Sequence, residues 1–78
     1  MTVEIITPEK QIFSGEATAV RLPGKAGLFE VLNNHAPIIS TLTKGKIRVI
    51  SESETFFFEI TGGVVEVMMN KVQALVEE

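Results

Sequence analysis

Apolar and polar residues alternate along almost the whole chain with a period of two. This period is typical of half-buried β-strands, since successive side chains of a strand point to opposite faces. No stretch keeps the period of about 3.6 residues that an amphipathic helix requires. Residues 10–14 and 38–43 read as two short strands. The inward positions of the other predicted strands are Val3 and Ile5, Val20 and Leu22, Phe29 and Val31, Ile47 and Val49, Phe56, Phe58 and Ile60, Val65, Val67 and Met69, and Val72, Ala74 and Val76.

Turn-forming residues separate these strands at intervals of about eight to twelve residues, as in antiparallel sandwiches and flattened barrels. Pro23-Gly24 predicts a type II turn, because proline fixes φ at the first central position and glycine accepts a positive φ at the second. Asn70-Lys71 predicts a tight hairpin between the last two strands. Gly62-Gly63 predicts a bulge or a close backbone approach. We expect one all-β domain over residues 1–78, without linker or repeat.

The outward positions of the strands are less polar than a solvated face requires. Six of them are large and apolar: Ile6, Ile50, Phe57, Val64, Met68 and Leu75. Two interpretations fit this pattern. Either the corners of a closed sandwich bury residues on both sides, or an exposed face binds another protein. Phe and Met are enriched at interfaces, which makes Phe57 and Met68 the sharper candidates for protein binding.

The composition removes most catalytic and metal-binding chemistry. The chain has no cysteine, no aspartate and one histidine, which excludes a Ser-His-Asp triad, a Cys-His pair and a zinc site with several His or Cys ligands. The net charge is −3, the basic residues are scattered, and no Tyr or Trp is present for base stacking. We therefore predict no catalytic residue, no cofactor, no metal and no nucleic-acid partner.

His35 is the single histidine, and it stands before Ala36-Pro37. The proline biases Ala36 toward an extended conformation, so His35 enters the next strand along a non-helical path. Its ring either hydrogen-bonds the backbone of its own loop or faces a partner.

No leader peptide opens the chain, and no apolar run approaches the roughly 18 residues of a membrane span, so the isolated chain is expected to be soluble.

An ordered set of residues resembles the N-terminal β-sandwich of the ε subunits of ATP synthases, the delta/epsilon family. The resemblance covers nearly the whole chain, and Asn33-Asn34 replace a Pro-Gly that the family often has. The residues that carry the resemblance are Val3 to Glu9, Phe13 to Glu16, Pro23-Gly24, Gly27, Phe29, Val31-Leu32, His35-Ala36-Pro37, Gly45, Ile47-Arg48 and Phe58 to Val67.

The resemblance implies a flattened antiparallel β-sandwich of ten strands, in two sheets of about five. It also implies a non-catalytic subunit of the central rotor, which binds the γ subunit and the c-ring and couples proton-driven rotation to ATP synthesis in other subunits. By the same resemblance, Leu28, Glu30 and His35 face the c-ring, and Thr7, Phe57 and Met68 face γ. Pro23, Gly24, Gly27, Pro37, Gly62 and Gly63 shape the turns.

Many ε subunits continue into a C-terminal helical hairpin that restrains ATP hydrolysis. We expect these 78 residues to lack that hairpin and its regulatory role. The resemblance places the chain on the cytoplasmic face of a bacterial inner membrane, attached only through the complex. One alternative is a lipoyl- or biotinyl-carrier domain, also a small β-sandwich, in which Lys71 after Met68-Met69-Asn70 would be the modified residue.

Overall fold

The computed structural model describes residues 1–78 and contains nine β-strands and no helix. Each strand contains a stretch of the alternating pattern, and several end near glycine, proline or asparagine, as the fourth strand does before Asn33 and the eighth before Asn70. The strands are β1 (Thr2–Ile6), β2 (Gln11–Glu16), β3 (Ala19–Gly24), β4 (Gly27–Leu32), β5 (Ile38–Leu42), β6 (Gly45–Ile50), β7 (Thr55–Ile60), β8 (Gly62–Met68) and β9 (Lys71–Glu77).

The strands form one continuous curled sheet in the order β2-β1-β9-β8-β5-β3-β6-β7, and β4 also pairs with β3. The sheet is narrowest between β3 and β5, where the only paired residues are Gly24 and Leu42. This junction divides the sheet into a five-stranded layer (β2, β1, β9, β8, β5) and a four-stranded layer (β4, β3, β6, β7). Residues from both layers share one hydrophobic core.

The all-β prediction is confirmed, but the detail of ten antiparallel strands in two sheets differs from the structure. The alternating pattern itself contains nine segments, and only the family resemblance supplied a tenth. The two layers are parts of one sheet, joined through β3. Strands β1 and β9 run parallel to each other. They lie far apart along the chain, so no short hairpin forces them to be antiparallel.

The core consists of 16 buried apolar residues, nearly all at predicted inward positions. Ile5, Leu22 and Ile47 are the largest side chains that are almost fully buried. Phe13 on β2 lies against two rings of β7, with centroids 5.2 Å from Phe56 and 5.5 Å from Phe58. Because β2 and β7 are the two ends of the sheet order, these aromatic contacts close the curl without hydrogen bonds.

The last hairpin turns one residue earlier than predicted. Met69 (φ 51°) and Asn70 (φ 60°) are its central residues, and Met68 pairs with Lys71 across the turn. Two successive positive φ angles are the geometry of a type I′ turn, which matches the twist of the strands it joins. Met69 therefore lies at the tip and is 89% exposed, so its prediction as an inward residue was wrong.

The turn between β3 and β4 also lies outside its predicted position. Pro23 and Gly24 end β3 in the extended conformation, and Lys25-Ala26 form the turn, followed by Gly27 with φ 136°. The predicted type II turn at Pro23-Gly24 was therefore wrong. Gly24 is needed for space: a Cβ there would lie 2.7 Å from the Gly27 carbonyl oxygen and 2.8 Å from the Phe29 ring.

Strand directions collect the loops at two ends of the molecule. The Met1 end carries Met1 and residues 17–18, 33–37, 51–54 and 69–70, and the Pro8 end carries residues 7–10, 25–26 and 43–44. At the Met1 end, the backbone N–H of Asn34 donates a hydrogen bond of 2.8 Å to Oδ1 of Asn70. This bond fixes the loop of His35 against the β8–β9 hairpin.

Candidate protein-interaction faces

The outer surface of the five-stranded layer is rich in apolar side chains. Ile6 on β1, Leu75 on β9 and Val64 on β8 are successive cross-strand partners and form one apolar row. Ile39 on β5 lies one row further toward the Met1 end, and Met68 two rows from Val64 along β8. We call the outward surface formed by Ile6, Ile39, Val64, Met68 and Leu75 the apolar face.

Side chains on this face are exposed to solvent to an unusual extent for their type. Ile39 is 72% exposed, Leu75 56%, Val64 47% and Met68 46%. They are adjacent through strand register, so they form a patch instead of isolated exposures. Contiguous exposed apolar patches on small soluble domains mark interaction sites. The apolar face is therefore the principal candidate site of the molecule.

Acidic groups cross and border the apolar face. Glu4, Gln73, Glu66 and Ile39 form the row beside Ile6, Leu75 and Val64, and Glu77 follows Leu75 on β9. Nε2 of Gln73 donates a hydrogen bond of 2.9 Å to Oε1 of Glu4, and neither Glu4 nor Glu66 forms an ion pair. Lys71 is the single basic residue among the outward positions of β1, β8 and β9. The face therefore suits a partner that combines apolar and basic side chains.

The outer surface of the four-stranded layer has a different chemistry. One row across it consists of Glu30 on β4, Arg21 on β3, Arg48 on β6 and Phe57 on β7, each the cross-strand partner of the next. Arg21 Nε donates a hydrogen bond of 2.9 Å to Oε2 of Glu30. The Arg48 guanidinium lies over the Phe57 ring, 5.1 Å from its centroid. We call this row, with the Leu28 side chain and the cross-strand pair Lys46 and Glu59 beside it, the arginine face.

Arg21 and Arg48 are direct cross-strand partners with the same charge. Like charges in this position are destabilising, by up to about 1 kcal/mol relative to a neutral pair. Arg21 is neutralised by Glu30, whereas Arg48 has neither an ion pair nor a side-chain hydrogen bond. Only the ring of Phe57 supports the Arg48 cation. The arginine face thus holds one cation whose carboxylate partner is missing within the chain.

The three residues expected to face the c-ring lie along one strand and the loop that follows it. Leu28 and Glu30 are outward residues of β4, and His35 belongs to the loop at the Met1 end. Leu28 is near the Pro8 end, beside the Lys25-Ala26 turn. A single partner that contacts all three must therefore cover the length of β4. His35 Nδ1 lies 2.6 Å from the Ala36 carbonyl oxygen, so its ring also contacts its own loop.

The three residues expected to face γ are not brought together. Met68 lies on the apolar face, and Thr7 lies at the edge of that face, in a shallow depression that Ile6, Val64 and Leu75 also line. Phe57 belongs to the arginine face, on the opposite side of a molecule whose smallest extent is 18 Å. One flat interface cannot include Thr7, Met68 and Phe57.

Sequence reasoning correctly singled out Val64, Met68, Leu75 and Phe57 as exposed apolar residues, whereas Ile6 and Ile50 are half-buried. It missed Ile39, because residues 38 and 39 are both isoleucine and the alternation of apolar and polar residues does not tell which of the two points inward. It also missed the pairing of Arg21 with Arg48, which depends on the register between β3 and β6. No local signal reveals a register between strands that are distant in sequence.

Lys71 is less suited to a carrier-domain role than its sequence context indicated. It is the first residue of β9 and pairs with Met68, while Met69 and Asn70 occupy the hairpin tip.

The structure has no helix of the length and apolarity that a membrane span requires. No three metal-ligating side chains lie close enough together to hold an ion.

Comparison with known proteins identifies relatives along the whole chain. Residues 1–78 match the family model of the β-sandwich domain of the ATP synthase delta/epsilon chain. The ATP synthase epsilon chain of Chlorobaculum tepidum is 46% identical over 78 residues, which cover 99% of this chain and 89% of the relative. The epsilon chain of Chlorobium limicola is 43% identical over 77 residues, which cover 97% of this chain and 88% of the relative.

Solved structures share the fold. A chain of the mitochondrial ATP synthase of Euglena gracilis (OSCP/F1/c-ring) superposes with a TM-score of 0.90 at 22% identity, and the match covers 97% of this chain and 49% of that chain. A chain from the central stalk and c-ring of the Tetrahymena thermophila mitochondrial ATP synthase superposes with a TM-score of 0.84 at 18% identity. The match covers 99% of this chain and 63% of that chain. The family resemblance is confirmed. Epsilon chains are non-catalytic subunits of ATP synthase, in agreement with the prediction that the chain is not an enzyme.

Proposed function

We propose, because the chain belongs to the family of ATP synthase delta and epsilon chains, that it attaches γ to the c-ring in the rotor of a bacterial ATP synthase. In this role the domain transmits torque by staying bound to both partners while the ring turns. The observation that carries the proposal is the apolar face, a contiguous exposed patch on a rigid sheet. We assign to residues 1–78 the docking role only.

The γ subunit is proposed to bind the apolar face. Burying an exposed apolar side chain such as Leu75 contributes about 1.5–3 kcal/mol when the burial is complete, so a row of three supplies a strong interface centre. Thr7 and Met68 border this face and keep their proposed contact with γ, whereas Phe57 lies on the other side of the molecule. The acidic groups Glu4 and Glu66 give the interface a charge preference for basic side chains on γ.

The c-ring is proposed to contact strand β4 and the loop at the Met1 end. Leu28, Glu30 and His35 lie there, and the 2.8 Å bond between Asn34 and Asn70 holds this loop against the last hairpin. A loop held in this way presents His35 in a more defined position, which lowers the ordering cost on binding. Attachment to the membrane is then peripheral and indirect, on the cytoplasmic side in a bacterium.

Co-expression with a γ subunit tests the proposal. The chain and γ from the same operon or a close relative are expected to co-elute in size-exclusion chromatography as a 1:1 complex. Membranes that hold a c-ring should retain the γ-bound chain better than the chain alone. Separate elution of γ and the chain, at concentrations that keep both folded, would contradict the proposed role.

A further inference from the structure

We propose that the arginine face is a second docking surface, and that its occupant is an acidic amphipathic segment of another polypeptide. The occupant supplies a carboxylate to Arg48 and apolar side chains to the ring of Phe57. This inference goes beyond the proposed function and holds whether or not the apolar face binds γ. It concerns Arg48 and Phe57 at the centre of the layer, and Leu28 and Glu30 on its β4 side keep their proposed contact with the c-ring.

The arginine face carries an electrostatic cost in the free chain. Arg21 and Arg48 are paired across β3 and β6, a position where like charges are destabilising. Glu30 compensates only Arg21, through its 2.9 Å ion pair. Lys46 on the same strand has Glu59 on β7 as its cross-strand partner, so the free chain keeps its surplus positive charge at Arg48, in the centre of the four-stranded layer.

The surroundings of Arg48 orient its side chain. Its guanidinium is held 5.1 Å from the centroid of Phe57, which restricts the side chain before any partner binds. Phe57 is 54% exposed, and Leu28 is 73% exposed. Both border the same shallow depression as Arg21 and Arg48. An oriented guanidinium with apolar neighbours suits a planar carboxylate next to an apolar side chain, as on one face of an acidic amphipathic helix.

The opposite face of the molecule has the contrary charge preference, and this contrast favours an acidic occupant for the arginine face. The apolar face carries Glu4, Glu66 and Glu77, so an acidic segment is repelled there and attracted to the arginine face. A basic segment has the reverse preference. The two faces therefore discriminate between partners by charge, and both can be occupied at the same time.

The test uses the isotope-labelled chain and two synthetic peptides of about 18 residues, or five helical turns. One is an amphipathic helix of Leu, Ala and Glu, and in the other every Glu is replaced by Lys. We expect the Glu peptide to shift the amide resonances of β3, β6 and β7 in a saturable, salt-sensitive way. The Lys peptide should leave those resonances unchanged.

Arg48→Glu should weaken binding of the Glu peptide about tenfold or more, since it reverses the charge that receives the carboxylate. Lys71→Glu, the same charge change on the apolar face, is the matched control and should leave that affinity within about twofold. The proposal is overturned if both peptides shift the same amides, if the Glu peptide shifts none of them, or if Arg48→Glu binds like wild type. None of these results depends on γ.

Discussion

The two outer faces of this small domain are built from the same kind of strand yet differ in what they leave unsatisfied. The apolar face leaves Leu75, Val64 and Ile39 in water, with acidic residues around them. The arginine face leaves a cation without a carboxylate, next to an aromatic ring. A partner would remove both features, because it would bury the apolar side chains and supply the missing carboxylate. The comparison therefore indicates two docking surfaces with opposite charge preferences on one rigid scaffold.

The largest effect is expected from a change that disrupts the scaffold under the apolar face. Gly63 has φ 153°, and a Cβ there would overlap the Leu75 carbonyl oxygen and lie 2.9 Å from Val76 Cα. Gly63→Val should force β8 away from β9 and destabilise the fold by about 3 kcal/mol or more, because both strain and lost packing contribute. Thermal unfolding measures this as a fall of roughly 12 °C or more.

Gly62→Val is the matched control for that change. A Cβ at Gly62 meets one atom, the Leu42 carbonyl oxygen, at an ordinary 3.7 Å, and its φ is unremarkable for an L residue. The melting temperature should stay within about 4 °C of the wild type, which corresponds to 1 kcal/mol or less. Equal losses for both variants would show that β8 and β9 do not approach as closely as described.

The next effect concerns the contact that keeps the two faces back to back. Phe13 links β2 to β7 through its rings against Phe56 and Phe58. Phe13→Ala removes a half-buried ring and should cost about 2–3 kcal/mol of unfolding free energy in a urea titration. Phe57→Ala removes a ring that contacts solvent and Arg48, and should cost about 1 kcal/mol or less. A larger loss for Phe57 would mean that the arginine face belongs to the core.

The smallest effect separates the charges of the two faces. Arg21 and Glu30 are both more than a third exposed, so solvent screens their ion pair. Glu30→Gln should lower the unfolding free energy by about 0.5 kcal/mol, because it leaves two arginines facing each other without compensation. Glu66→Gln on the apolar face should change it by less. The difference between the two variants should shrink in high salt, and a salt-independent difference would argue against electrostatics.

The inward half of the fold could be predicted from the sequence, because burial on one side of a strand imposes a period of two. Val3, Val20, Val49 and Val65 illustrate this, since each was predicted inward and each is fully buried. The division of outward residues between two faces could not be predicted. It depends on strand order, and that order depends on the parallel pair β1·β9 and the Gly24–Leu42 junction, neither of which has a local sequence signal.

Turn positions show the same limit on a smaller scale. Glycine at position 24 looked like a turn residue, but it is required because the Phe29 ring and the Gly27 carbonyl leave no space for a Cβ. Sequence identifies that a glycine is needed and does not say whether conformation or space is the reason. The family resemblance grouped Phe57 with Thr7 and Met68 without a strand order, and the strand order puts Phe57 on the opposite side.

Calorimetric titration of γ with two variants tests most directly whether γ binds the apolar face and not the arginine face. Leu75→Glu and Phe57→Glu place the same charge on opposite sides of the sheet, each at a residue about half exposed, 56% and 54%. Leu75→Glu should weaken γ binding about 30-fold or more, as expected for 2 kcal/mol at an interface centre. Phe57→Glu should bind γ within about threefold of wild type, a change below 1 kcal/mol. Weak binding of Phe57→Glu together with wild-type affinity of Leu75→Glu would contradict the account.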